Sequence, residues 1–505
     1  MPSIDKRDYI DDWEILSVEG VQNLLLAANC LAEVRNKNAI APIANRLQAL
    51  LIKEVEQEYP YKFDSEAASV IVNAIARGWK NDPGTLVLLK QRLQSHENIW
   101  VRQAAVGEIA RGWKDEADTL PLIKQWVQSD EDTWVRLAAV KELAKGWKDD
   151  PETLPLIKQR AQFDEDRWVR LAAVKELAKG WKDDPETLPI IKQRVQFDDD
   201  RLVLRAAVQE LAKGWKDDPE TLPLIKQRVQ SDENIWVRQA AVEELAKGWK
   251  DEPDILPLIK QWVQSSDNSD VRQTAVEELA KGWKDEPDTL PLIKQWAQSD
   301  EDWAVQSAAV RELAKGWKDE PETLPIIKKR TQSDNNSDVR CAAVEALAKG
   351  WKDDPDTLVL LKQQAEFDKD SWARLDAVEE IARRWKDDPD TLVLLKQRAE
   401  FDEDSWVRRG AVQKLAKGWK DDPDTLPLIK QRVQSDSNRW VRQAAVEEIA
   451  RRWKNEPDTL PLLKQWVQFH KHNDVRRAAV LELARGWKKD PYTLLLLEHP
   501  FFYLR

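Results

Sequence analysis

The apolar positions of this chain fall into two alternating helical stripes. In residues 130–163, DEDTWVRLAAVKELAKGWKDDPETLPLIKQRAQF, Val135, Ala138, Ala139, Leu143 and Ala144 recur at the spacing of one helix face. Gly146 and Trp147 end that stripe. A second one follows, with Leu154, Leu156, Ile157 and Ala161 as its apolar positions. Two helices per segment are predicted. Asp132 precedes the first, and Asn or Asp holds its equivalent in eleven of twelve segments, His472 being the exception; such residues accept hydrogen bonds from the free N–H groups of a first turn. The second opens near Asp150-Pro151, where proline's missing N–H and preset φ suit a helix start. Pro155 recurs in nine segments and shortens or kinks the first turn, so the start lies at Pro151 or at Thr153.

The stripes repeat with a strict period. Trp79, Trp113, Trp147, Trp181, Trp215, Trp249, Trp283, Trp317, Trp351, Trp385, Trp419, Trp453 and Trp487 are spaced by 34 residues throughout, each followed by Lys. Helices of roughly 12 residues are marginal alone. Stacked neighbours bury one another's stripes, which predicts an all-α solenoid of 12–13 helix pairs over residues 64–495. Residues 1–63 break the period; helices over residues 18–33 and 39–54 are expected to form a cap or linker, and residues 67–79 a degenerate first helix. Residues 496–505, with Phe501, Phe502 and Tyr503, are expected to cover the last layer.

Composition narrows the function classes. The 505 residues are 42% hydrophobic and 34% charged, with a net charge of −12. An acidic total disfavours nucleic acid, since binding a polyanion draws on a surplus of Lys and Arg. No apolar run reaches the roughly 20 residues that span a bilayer. The opening MPSIDKRDYIDDW lacks a signal peptide, and Cys30 and Cys341 are the only cysteines; a cytoplasmic protein without a disulfide framework is expected.

The motif Asp-x-x-x-x-Val-Arg-x-Ala-Ala-Val-x-x-Leu-Ala, seen as Asp130, Val135, Arg136, Ala138, Ala139, Val140, Leu143 and Ala144, resembles the short bacterial HEAT repeat. The resemblance implies a right-handed α-solenoid in which Asp and Arg form a ladder between adjacent units. The Gly-Trp-Lys-Asp-Asp-Pro and Leu-Lys-Gln-Arg elements are similar to the C-terminal arrays of NACHT-type signal-transduction NTPases. The phosphate-binding Gly-x-x-x-x-Gly-Lys loop of those NTPases is absent here, which implies a sensor half without its motor.

Candidate chemistry is sparse. His470 and His472, with Asp474, form a possible metal set, against a solvated turn in which they replace the usual Asp and cap. The acidic pairs such as Asp149-Asp150 recur before nearly every helix proline, where they favour the helix dipole rather than acid–base work. No cofactor and no enzymatic activity are expected.

The 26 Trp residues carry the functional expectation. The period-34 series, from Trp113, Trp147, Trp181, Trp215, Trp249 and Trp283 through Trp317, Trp351, Trp385, Trp419 and Trp453, is assigned to a packing spine. A second series, Trp100, Trp134, Trp168, Trp236, Trp372, Trp406 and Trp440, sits in the first turn of the Val-Arg helix. Asp replaces it in three units, so it is not deep core, and partner binding stands beside packing as its role. A variable stripe, Leu137, Leu171, Arg205, Gln239, Gln273, Leu375, Arg409 and Gln443, lies beside it on the same helix and is taken to face the concave side. A scaffold or sensor gripping a protein partner is therefore expected, in a bacterial signalling or defence system. The alternative is a HEAT-like subunit or chaperone of a bilin lyase.

Overall fold

The computed structural model describes residues 65–95, 99–488 and 490–493. Helices run from Ser65–Gly78 to Asn473–Gly486, with no strand among the described residues. The helices expected at residues 18–33 and 39–54, and the tail at 496–505, lie outside them; the degenerate first helix expected at 67–79 is Ser65–Gly78.

Each first helix spans 14 residues, as in Thr133–Gly146 and Arg167–Gly180. Its N-terminus is capped as its sequence requires: the Asp132 carboxylate accepts from the N–H groups of Trp134 and Val135 at 2.8 and 3.2 Å. His472 makes no such side-chain cap. At the other end the spine Trp is the C-cap, with Trp147 N–H donating to Leu143 O at 3.0 Å and Asp150 N–H to Trp147 O at 3.1 Å.

The second helix has two lengths, and one residue sets which. Where Pro155 or its equivalent is present, the helix begins at the Thr position, as in Thr153–Phe163 with 11 residues. Where Val359 or Val393 stands there, it begins two residues earlier and spans 13, as Pro355–Phe367 and Pro389–Phe401. A helix starting at Pro151 would need residue 155 to donate to the carbonyl of residue 151. Proline has no N–H, and its ring collides with that carbonyl. Valine meets the requirement, and the earlier start follows.

The packing pairs helices differently from the 130–163 segmentation. The second helix Thr153–Phe163 packs on the first helix that follows it, Arg167–Gly180, and only lightly on the one before. The natural unit is thus second helix, short Asp-rich link, then first helix. First helices also pack closely on one another, while second helices touch their own kind only weakly. The chain divides into two compact units, Met1–Gly248 and Trp249–Arg505, and each is built this way. Within the second, Val407, Val412, Leu415, Ile429 and Val433 are among the solvent-free residues of one continuous apolar cluster.

Two polar ladders run along the units. In the first, Arg136 is bidentate to Asp164 of the next repeat at 3.2 and 3.3 Å, and donates to the carbonyls of Asp130 and Glu131. Arg170–Asp198, Arg374–Asp402 and Arg408–Asp436 repeat it. Each Asp also receives a backbone N–H two residues on, as Asp164 does from Asp166. This is the inter-unit ladder that the resemblance implied. In the second ladder, a second-helix Lys reaches the Asp before the next helix proline: Lys124–Asp150 at 2.6 Å, Lys192–Asp218 at 2.6 Å and Lys328–Asp354 at 2.8 Å. The recurrent acidic pairs therefore include one member that joins repeats. No helix among the described residues is long and apolar enough to cross a membrane.

Candidate partner-binding face

The N-terminal turns of the first helices carry the indole row. Trp236, Trp372, Trp406 and Trp440 are exposed, Trp372 by 57%, with Trp100 just over a third exposed and Trp134 and Trp168 half-buried. Stacking brings them together within each unit. Trp100 and Trp134 lie 5.8 Å apart between ring centroids, Trp134 and Trp168 6.4 Å, and in the second unit Trp372 and Trp406 6.1 Å. Arginines cover several faces: Arg167 over Trp168, Arg409 over Trp406 and Arg439 over Trp440, the last at 4.5 Å.

The variable stripe sits lower than expected. Leu137 is only 6% exposed, packed between helices, and offers a partner no surface. Leu171, Arg205, Gln239, Gln273, Leu375, Arg409 and Gln443 are half-buried, because first helices approach too closely to leave this line open. Gln273 and Gln443 bond Glu277 and Glu447 of their own helices at 3.0 and 2.9 Å. Leu375 reaches under the neighbouring helix, where a Cβ on Gly410 would come within 2.4 Å of it; the glycine admits that close approach.

The spine series divides. Trp79, Trp113, Trp249, Trp283, Trp317 and Trp453 are buried, while Trp147, Trp181, Trp215, Trp351, Trp385 and Trp419 are half-buried. Its contacts cross between repeats: Trp283 Nε1 donates to Lys250 O at 3.2 Å, and Lys114 lies over Trp147. The Lys of Gly-Trp-Lys thus serves the next repeat's indole.

Three features escaped sequence reasoning. Trp126, Trp262, Trp296 and Trp466 are buried in second helices; they share the 34-residue register, which was the available signal. Trp303 is 50% exposed, one residue before Ala304, where the strict register interrupts the indole row. Phe163, Phe197, Phe367, Phe401 and Phe469 are all strongly exposed at second-helix C-termini.

His470 Nδ1 accepts from His472 N–H, and Asp474 is held by Arg442 at 2.8 Å. No group of three or more potential ligands that could hold a metal occurs among the described residues. Burial and the adjacent Asp376 push the Cys341 thiol far above the usual range, so it stays protonated. Cys30 lies outside the described residues.

Models of HEAT repeats match the chain in overlapping stretches: residues 86–178, 154–246, 222–314, 255–348, 290–382, 358–450 and 426–499. No curated protein matches it in sequence. Among solved structures, the chain is similar to the Escherichia coli protein YibA, at 19% identity over 55% of this chain and 95% of that one, with a TM-score of 0.36. It is also similar to Kap95p, solved with RanGDP, at 13% identity over 96% and 73% of the two chains and a TM-score of 0.48. Kap121p gives 14% identity, coverage of 95% and 58%, and a TM-score of 0.39. The assignment rests on the repeat models, whose starts at residues 86 and 154 fall within and just at the start of second helices, the order in which the helices pack. The chain belongs to the HEAT-repeat family.

Proposed function

We propose that this protein is an interaction scaffold whose first-helix face is read by a protein partner through its indole row. One observation carries this: Trp236, Trp372, Trp406 and Trp440 are exposed in a fold that buries other indoles completely enough to show that it has room to do so. Exposed tryptophans cost solubility without adding to the core, and interface anchors are enriched in Trp and Arg. Arg409 and Arg439, laid over Trp406 and Trp440, supply the second of these. A role in bacterial signalling or defence fits a scaffold that lacks a nucleotide-binding loop and acts beside another chain. The bilin-lyase alternative finds less support, since the Cys341 thiol is held protonated and offers no nucleophile.

The test is affinity capture from the native cell with the full chain and with the Trp406→Ala/Trp440→Ala variant. The wild type is expected to recover a defined protein that the variant loses, each anchor contributing about 1–2 kcal/mol. Recovery of the same protein by both, or of none by the wild type, would remove this function.

A further inference from the structure

The indole row of the second unit contains a notch of about 280 Å³, whose lining includes Trp303, Ser307, Arg311, Asp338, Cys341, Trp372 and Asp376. Four consecutive first helices, Ser269–Gly282, Trp303–Gly316, Ser337–Gly350 and Ser371–Arg384, contribute to it. The volume falls below the roughly 300–1,000 Å³ of clefts that bury whole small-molecule ligands. It suits a single long side chain.

Ser307 is 2% exposed, and its Oγ has no hydrogen-bond partner. The threonines that open second helices, such as Thr153, also leave their hydroxyls unpaired, while mid-helix ones bond back to the carbonyl four residues earlier, as Thr274 does to Asp270 and Thr331 to Ile327. Ser307 does not, and it lines the notch. A buried polar atom left unpaired costs free energy, so this one awaits a donor or acceptor from outside. Asp376 is the second anomaly. Nine of the twelve equivalent positions hold Ala, Thr274 and Gly410 being the other departures, so the framework does not require a carboxyl here. It is half-buried, its charge answered by a hydrogen bond with the Cys341 thiol, a weak donor. Burial accordingly holds the Asp376 carboxyl above the usual range. Arg311 offsets this only in part, since its guanidinium also lies 3.9 Å from Glu345. The surrounding face is acidic, with Glu277, Glu345 and Glu379 one turn further along their helices.

We infer that this notch, on the partner-binding face proposed above, receives an arginine side chain from a basic segment of the protein partner. Trp303 and Trp372 both line the notch, at 50% and 57% exposure, and indoles attract planar cations. Asp376 and Asp338 offer carboxylate acceptors, and the Ser307 hydroxyl completes its hydrogen bonding as an acceptor of a guanidinium N–H. Arginine fits better than lysine because its plane stacks on indole and its several donors can reach both oxygens and the hydroxyl together.

The experiment uses the full chain and fluorescein-labelled Gly-Ser-Arg-Gly-Ser, with anisotropy as the readout. The same peptide carrying citrulline, equal in shape but neutral, is the control. The arginine peptide is expected to bind at least about tenfold more tightly. Asp376→Asn should shrink that preference to below about twofold. Ser307→Ala should weaken the arginine peptide severalfold and leave the melting temperature unchanged, since no internal hydrogen bond is lost. Equal binding of the two peptides, binding of neither, tighter binding of a lysine peptide, or an arginine preference that survives both substitutions would overturn the assignment. The capture variant Trp406→Ala/Trp440→Ala replaces no residue that lines the notch, though it removes the indole stacked on Trp372. Capture lost by that variant, with the wild-type arginine preference intact, supports both proposals; capture lost by that variant, with no arginine preference in the wild type, sinks the notch alone.

Discussion

At the scale of single residues, the Arg–Asp ladder shows how context sets the value of one side chain. Asp164 is reached by two arginines, Arg136 from the preceding repeat and Arg160 four residues before it at 3.1 Å. Asp368 is bidentate to Arg340, at 2.6 and 2.7 Å, and the residue four before it is Gln364. Removing one partner of a buried ion pair costs about 3–5 kcal/mol when the other is left uncompensated. Arg340→Leu is therefore expected to destabilise the protein by about that much, and Arg136→Leu by at least about 1 kcal/mol less, as Arg160 stays with Asp164. The chain already carries Leu204 at an equivalent place, where Arg228 pairs with Asp232 at 3.1 Å. Urea titration of the two variants measures the difference; equal losses would show that the second arginine gives no compensation. The ladder residues were legible in sequence because they recur. Asp376 and Ser307 were not, since a substitution in one repeat looks like drift until its neighbours in space are known.

At the scale of elements, the helix caps and the period were legible because each rests on local chemistry: an Asn or Asp before the first turn, a proline at the start of the second helix. The pairing of helices was not. A strictly periodic string has no intrinsic phase, so the 130–163 segmentation and the packed unit use the same residues in different order. Sequence alone allows the second helix to start at the Pro151 or the Thr153 position, and both occur, according to whether proline or valine holds the fifth position. That dependence can be transplanted. Val359→Pro is expected to shorten Pro355–Phe367 by two residues and to cost well under the roughly 3 kcal/mol of a proline in a helix interior, because the repeat already accommodates this shorter form nine times. The reverse change, Pro223→Val, should add two residues to Thr221–Ser231 and give residue 223 a protected amide. Hydrogen exchange at the residues before each helix reports both changes. A helix that keeps its start in either variant would mean that the loop, not the fifth residue, sets the boundary.

At the scale of the whole molecule, the second ladder makes stability depend on acidity in a definite direction. Hydrogen bonds from Lys124, Lys158, Lys192, Lys328 and Lys362 hold the carboxyls of Asp150, Asp184, Asp218, Asp354 and Asp388 below the usual range. A carboxyl with a depressed folded pKa contributes stability above its unfolded value of about 3.9 and loses it as pH falls through the folded one. Glu244, Asp376 and Glu482 run the other way, since burial raises them and favours the fold when they are protonated. Asp422 and Asp490 are lowered as well, so the lowered carboxyls outnumber the raised ones and leave a net loss of stability below about pH 4. Melts from pH 6 to pH 2 check this, and Asp150→Asn/Asp184→Asn/Asp218→Asn should flatten the acid limb; an unchanged limb would place the acid sensitivity elsewhere.

How far such a loss spreads follows from the architecture. In a linear array each repeat packs on its neighbours only, so stability is a sum of local terms and nearest-neighbour couplings. Trp283 makes a sharp probe: it is 5% exposed, and its Nε1 donates to Lys250 O of the previous repeat. Trp283→Ala removes a buried indole and one inter-repeat hydrogen bond, an expected local cost of about 3–5 kcal/mol. Trp372→Ala, at 57% exposure, removes mainly a stacking contact with Trp406 and should cost about 1 kcal/mol. Hydrogen exchange on Trp283→Ala should show protection falling first in the helices around it, Ile255–Ser265 through Trp303–Gly316, while Thr133–Gly146 and Arg167–Gly180 keep theirs. Under Trp372→Ala the protection map should barely change. If Trp283→Ala instead lowers protection evenly from Ser65 to Gly486, the repeats unfold as one cooperative body, and the nearest-neighbour account of this array is wrong.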